Sequence, residues 1–220
     1  MGEFNSAIEA IAPDDPRPLL VQHARSFYER GWMWGTAGNL SARLSDGNFW
    51  ITASGCAKGE LDPHQFVQLS LDGSLLRQPR PDVKPSAESS IHQAIYQLFP
   101  DAWACYHVHS VSATLVSRLT SAEDICLPNL EMIKGLGIWE ENPSVRLALF
   151  TNHRHVPQIA ADISARFTQH APQLPACLIR DHGVTVWGSS PTEARNRIEA
   201  IEFIFQAMIQ AQHLNLDLLR

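Results

Sequence analysis

No stretch of this sequence comes near the ~20 consecutive apolar residues that a membrane-spanning helix requires, so a membrane is not among its expected partners. Cysteine is scarce. The four present, Cys56, Cys105, Cys126 and Cys177, are scattered and form no C-x-x-C pair. That spacing argues against a disulfide framework or a cysteine-ligated zinc and suits a reducing compartment, the cytosol. Basic charge is also in short supply: 17 Lys and Arg face 23 Asp and Glu, and a net charge of −6 gives nucleic acid and anionic membranes no footing. Repeats and low-complexity stretches are missing, and the opening MGEFNSAIEA has no signal-peptide pattern. What remains is an ordinary globular composition, 45% hydrophobic and 18% charged. The 220 residues suffice for one good-sized core, so a single domain over 1–220 is expected, ordered from about residue 16 to about 213.

Strand and helix patterns alternate along the chain. A helix should follow Asp14-Asp15, with Pro16 in its first turn, Leu20, Ala24, Phe27 and Tyr28 on one face, and a stop at Gly31. NLSARLSDGNFWIT and FVQLSLDGSLL read as hairpins turning at Asp46-Gly47 and Asp72-Gly73. A helix from about Ser86 to Leu98 precedes a strand (102–107), a helix (111–119), a strand (145–150) and a helix (156–168). ACLIRDHGVTVWG is a further strand pair. The last helix opens with SPTE, predicting a Ser190 cap with Glu193 reaching back. Adjacent hairpins exclude a purely parallel sheet, so the expected class is α/β, a mixed sheet covered by helices.

Against that background, CYHVHS (105–110) is unusual. In a strand, side chains two apart share a face, so His107 and His109 converge. A catalytic zinc needs a third protein ligand and an open position. Most of the ten histidines read as surface or hydrogen-bonded residues. The second H-x-H, His153 and His155, lies in a polar connection and reads as a solvated loop. His182 ends one apolar strand, and Gly183 is expected to start a tight turn into the next. Alone, His182 reads as a turn histidine bonding backbone carbonyls; beside His107 and His109 it completes a metal triad.

Two Gly-rich turns, GTAGNLSAR and TASGCAKGE, offer backbone N–H groups, hydroxyls and Lys58 to an anion such as phosphate, although hairpin turns need glycine in any case. KPSAES places Ser86 at a predicted N-cap, where free N–H groups attract anions, and Glu88 in the first helical turn, where the dipole favours it. Glu131, in LPNLEMIKGLG, is a second carboxylate for acid/base work, or simply an ion-pair partner of Lys134.

TAGNLSAR, ITASGCAKG, KPSAES, HVHS and RDHGVTVWG occur here in the order and spacing of the class II aldolase family, and the match spans roughly residues 20–212. The resemblance implies a three-layer α/β/α fold with a central, mostly antiparallel sheet. It also implies one divalent metal per subunit, zinc in most members, on His107, His109 and His182. The sugar phosphate's phosphate would sit on Asn39, Ser54, Gly55 and Ser86, to which the turn reading adds Lys58. Family members are usually cyclic homotetramers with shared sites, which would bring Glu131 or Lys134 near a neighbour's metal. One departure is Ala87, where fuculose-phosphate-type aldolases have a second serine. LEMIKG with KPSAE and HGVTVWG resembles the branch that dehydrates 5-methylthioribulose 1-phosphate to 2,3-diketo-5-methylthiopentyl 1-phosphate in methionine salvage. There the residue matching Glu131 is the proposed acid/base. Glu88, kept anionic by the helix dipole, suits a positioning or electrostatic role, and the apolar methylthio tail would take Trp139 or Met132 as a wall unless both are core. The aldolase alternative relies on tyrosine proton donors, whereas this chain has only Tyr28, Tyr96 and Tyr106, with none in its tail HLNLDLLR. A pentulose-phosphate 4-epimerase ranks third. A non-catalytic adducin-head-like association module would not need the histidines.

Overall fold

Residues 12–218 are described here from a computed structural model; the leader expectation for the opening residues lies outside them. The first helix, α1 (Arg17–Glu29), begins after Pro16. Asp15 accepts the Arg17 backbone N–H at 2.8 Å and pairs with its guanidinium, so it satisfies the first helical N–H from outside the helix. Both predicted hairpins form: β1 (Asn39–Arg43) with β2 (Phe49–Thr52), and β3 (Phe66–Leu69) with β4 (Leu75–Arg77). Then come α2 (Ser89–Leu98), β5 (Ala104–Val108), α3 (Val111–Val116), β6 (Asp124–Leu127), β7 (Val145–Phe150), α4 (Val156–Gln169), β8 (Ala176–Ile179), β9 (Gly183–Gly188) and α5 (Pro191–His213).

The nine strands form one sheet in the order β4-β3-β2-β1-β5-β9-β8-β7-β6. Every neighbouring pair is antiparallel except β7 with β8, which α4 connects as a crossover. Period-two alternation divides the core. Leu40, Tyr106, Val108, Val184 and Val186 face α1 and α5 on one side. Ile51, Val67, Cys105, Cys177 and Ile179 face α2 and α4 on the other. This is the expected three-layer α/β/α arrangement. Among the described residues no helix is long and apolar enough to cross a membrane.

Several local expectations need correction. α2 starts at Ser89, not Ser86, because Pro85 bridges to Ala53 and keeps that segment extended. Glu88 therefore occupies the cap position, and its side chain caps nothing. β6 and two short 3-10 helices, Lys58–Glu60 and Glu131–Leu136, were not anticipated; β5 starts later, and α3 stops earlier, than their apolar patterns suggest. Ser190 caps α5 by accepting the Glu193 N–H, but Glu193 reaches Ser189 rather than Ser190. The tight turn before β9 is carried by Asp181 at φ 54°, not by Gly183. Gly183 is required for a different reason: a Cβ there would lie 2.2 Å from the Val108 carbonyl oxygen. Gly38 plays the matching part on the other flank of β5, where a Cβ would meet the His107 oxygen at 2.8 Å.

One carboxylate lies inside this core. Glu202 of α5 is fully buried, and its oxygens accept hydrogen bonds from Ser110 Oγ (2.6 Å) and Ser112 Oγ (2.7 Å), fixing the start of α3. Hydroxyls do not neutralise a carboxylate, and burial pushes Glu202 up to about 6. Its folded-state proton affinity is raised, so the stability it contributes is complete below the ordinary value of 4.5 and is lost as pH rises through about 6. A rise of this size corresponds to about 2 kcal/mol. Glu202→Gln should therefore gain stability relative to the parent by about that amount between pH 4.5 and pH 7.5. Urea unfolding at the two pH values measures it, and a constant difference between the proteins would contradict the assignment.

Candidate metal and phosphate site

The site is assembled at the end of the central strand. His107 lies near the C-terminal end of β5, beside Asn39 on β1 and Thr185 on β9. By strand parity it points with Cys105 toward the α2/α4 layer. Its Nδ1 lies 2.8 Å from Thr185 Oγ1, which fixes the ring and leaves Nε2 free to bind. His109, two residues on, keeps the same facing, and its backbone N–H is held by the Trp32 carbonyl at 2.9 Å. His182 comes from the β8–β9 turn. Arg180 anchors that turn by donating to the carbonyls of Ser117 and Thr120, both at 2.7 Å.

The three imidazoles meet almost perpendicularly, with interplanar angles of 80°, 87° and 89°. His107 Nε2 is 2.8 Å from His109 Nε2 and 3.4 Å from His182 Nε2. Glu88 Oε1 adds a fourth corner, 2.7 Å from His182, 3.4 Å from His109 and 3.6 Å from His107. A tetrahedral zinc with bonds near 2.0–2.1 Å would separate its ligand atoms by about 3.3 Å, and the observed edges bracket that length. Four donor atoms lie within 4.8 Å of one another, and His182 Nδ1 is buried with no partner among the described residues. The donor set of three imidazoles and one carboxylate fits a first-row divalent ion.

Electrostatics support the same reading. Burial pushes His107 well below its ordinary value, which keeps it in the neutral, ligating form. For Glu88, burial opposes ionisation, but its close contacts with the His107, His109 and His182 rings outweigh it and hold the carboxyl far below the usual range.

The three anion-binding candidates converge beside this cluster. Ser54 N–H donates to the Lys84 carbonyl at 2.9 Å, and Ala53 bridges Pro85, so the second Gly-rich turn and the Pro-Ser segment lie together. Ser54 and Gly55 are exposed, Ser86 is half-buried, and a Cβ on Gly55 would meet nothing. Asn39 and Lys58, expected at the phosphate, are both already engaged within the protein. Both amide hydrogens of Asn39 are committed, to Ser86 Oγ and Glu88 Oε2. Lys58 is only 1% exposed, and its ammonium donates to the carbonyls of Thr36 (2.9 Å) and Cys56 (2.8 Å), fastening the two Gly-rich turns together.

Glu131 is not brought to the cluster within this chain. Its 3-10 helix packs on α5 through Ile133 and Leu136, in the layer opposite to the one His107 faces. The Glu131 side chain is 82% exposed and pairs with Lys134 at 2.7 Å. Trp139 stands 74% exposed nearby, and Met132 is half-buried against the core. His153 instead pairs with Asp162 at 2.8 Å, and His155 only precedes α4. Reading the motifs missed Thr185, because nothing in GVTVWG indicates which strand it lies beside, and it gave Glu88 no place at the metal corner.

Comparison with known proteins agrees with the geometry. The sequence profile of the Class II Aldolase and Adducin N-terminal domain matches residues 19–209. A methylthioribulose-1-phosphate dehydratase of Microcystis aeruginosa is 54% identical over 197 residues, covering 90% of this chain and 96% of that protein. One from Leptospira biflexa is 46% identical, covering 86% and 94%. In fold, the crystal structure of L-fuculose-1-phosphate aldolase from Thermus thermophilus superimposes with a TM-score of 0.72 over 90% of this chain and 95% of that one, at 22% identity. From the metal corner, the three-layer sheet and these matches together, the chain belongs to the class II aldolase and adducin N-terminal domain family.

Proposed function

We propose that this chain dehydrates 5-methylthioribulose 1-phosphate to 2,3-diketo-5-methylthiopentyl 1-phosphate, a metal-dependent hydro-lyase step of methionine salvage. One observation carries the reading: a corner of three histidines and a carboxylate beside an exposed Gly-rich turn, in a chain 54% identical to a methylthioribulose-1-phosphate dehydratase. One divalent ion per chain, zinc, is assigned to His107, His109 and His182, with Glu88 at the fourth corner, the position that substrate oxygens would take over. When bound, the ion acts as a Lewis acid that makes the substrate's C3 proton removable. The exposed Ser54 hydroxyl, the backbone N–H of Gly55 and the hydroxyl of Ser86 hold the phosphate, while Asn39 and Lys58 shape the turns around it. Glu88, kept anionic, suits orientation and electrostatic stabilisation better than proton donation. Glu131 takes the C3 proton and returns it to the departing C4 hydroxyl; loss of water leaves an enol that ketonises.

Because Glu131 lies in the other layer, the proposal requires an assembly, a homotetramer in which it reaches a neighbouring subunit's metal corner. The exposed Trp34, Val111 and Leu115, which line a groove beside His109's loop, support such a contact. A cytoplasmic location is part of the proposal and is supported by four free cysteines. An aldolase would need a tyrosine donor, but Tyr96 and Tyr106 are buried with their hydroxyls on Ser41 and His23.

Elemental analysis should find one divalent ion per chain. His182→Ala should lose most of it, and His153→Ala should keep it; equal loss in both would contradict the ligand assignment. A protein that neither binds metal nor consumes substrate would instead bring forward the association-module reading.

With metal-replete protein and 5-methylthioribulose 1-phosphate, Glu131→Gln should cut turnover by roughly 10²–10⁴, more than Glu88→Gln does. Glu131→Gln and His182→Ala chains, each inactive alone, should regain activity when dissociated and reassembled together, since some corners then receive both intact parts. Near-normal turnover of Glu131→Gln would remove the dehydratase mechanism, and no regained activity would remove the shared site.

A further inference from the structure

Behind Glu88 runs a file of buried polar side chains that the reaction above does not use. Asn39 donates to Glu88 Oε2, and its Oδ1 meets His92 Nε2. His92 Nδ1 lies 2.7 Å from Ser41 Oγ, which lies 2.6 Å from the Tyr96 hydroxyl and 3.2 Å from the Cys105 carbonyl. Asn39, Ser41, His92 and Tyr96 are all buried. Donor and acceptor chemistry leads to one assignment. Glu88 only accepts, so Asn39 turns its NH₂ to it and its oxygen to His92, which must then carry hydrogen on Nε2. Burial holds His92 down at about 4, so the ring is neutral and its bare Nδ1 takes the single Ser41 hydroxyl hydrogen at 2.7 Å in preference to the Cys105 carbonyl, which lies farther off at 3.2 Å. The Ser41 oxygen takes the Tyr96 hydrogen, which burial keeps on the phenol. Every hydrogen points one way, from Tyr96 through Ser41, His92 and Asn39 to Glu88.

We infer that His92 is a positioning residue for the metal corner: by donating from Nε2 it locks the Asn39 amide, which holds Glu88 with Oε2 turned inward and Oε1 turned toward His107, His109 and His182. The reversed amide would set its oxygen against a carboxylate oxygen, and the repulsion would swing Oε1 away from the corner. Hydrogen-bonded files of this kind strengthen one another in a dry interior, and the file reaches the site through α2 and β1 rather than through the histidine ligands themselves. The inference rests on the reading of Glu88 as part of that corner.

Three substitutions separate positioning from simple packing. His92→Gln places an amide N–H near the former Nε2, His92→Asn reaches only the Nδ1 position, and His92→Leu supplies neither. The readouts are metal retention against a chelator, the visible spectrum of the Co²⁺-substituted protein, and kcat and KM with 5-methylthioribulose 1-phosphate. His92→Asn and His92→Leu should lose roughly 10–100-fold in metal affinity or kcat, with an altered Co²⁺ spectrum and little change in KM. His92→Gln should recover most of both. The inference is overturned if His92→Asn matches or exceeds His92→Gln, if all three decline in step with melting temperature, or if His92→Leu keeps the parental affinity and spectrum. Should the parent protein fail to turn over this substrate, the proposed reaction falls, and the metal affinities and spectra alone decide the role of His92 by the same ranking.

Discussion

Asn39, His107 and Thr185 sit side by side because β1, β5 and β9 pair in one register, and the rest of the molecule is organised around keeping it. Strand side chains alternate, so a slip of one residue would carry His107 and Cys105 into the α1/α5 layer and put Tyr106 and Val108 in their place. The apolar packing of Tyr106 and Val108 against α1 and α5 opposes that slip. The two glycines flanking the strand end oppose it as well, since only they allow the neighbouring backbones so close to the His107 and Val108 carbonyls. Once the register holds, His109 follows by parity, and the β8–β9 turn has only one direction in which to present His182.

Charge is placed with the same economy. The buried ammonium of Lys58 joins two loops through their carbonyls, and the buried Glu202 anchors the helix that follows His109. Neither has a close ion-pair partner in those contacts, so each spends its hydrogen-bonding capacity on geometry rather than on attraction between charges. Glu88 differs: its charge is tolerated because three imidazole nitrogens surround one oxygen and an amide holds the other.

Features carried by local spacing were legible in the sequence. The His107–His109 parity, both hairpin turns, the SPTE helix start and the α/β layering follow from near neighbours in the chain. Features that depend on distant partners were not. KPSAES has the residues of a helix cap, yet Pro85 is drawn into a bridge with Ala53, more than thirty positions earlier, and the helix waits until Ser89. Lys58 beside glycines suggests a phosphate ligand, but the Thr36 and Cys56 carbonyls that occupy its ammonium converge only after folding. Glu131 stands out as a polar residue in an apolar segment, but its layer is set by Ile133 and Leu136, which face α5. His92 was not singled out, because Asn39 and Ser41, which complete its hydrogen bonds, come from another element.

The strand order also bears on how the molecule acquires its fold. β1–β2, β3–β4 and β8–β9 are local hairpins that close early, since short loops cost little entropy. β5 has no such neighbour: it joins β1 across the separation from Asn39 to His107 and β9 across that from His107 to Thr185. Such non-local pairings form slowly. The metal corner draws on β5, the segment before α2 and the β8–β9 turn, so it comes into being only when the long-range pairings close. An ion bound there would stabilise only the finished sheet and leave its precursors unaided.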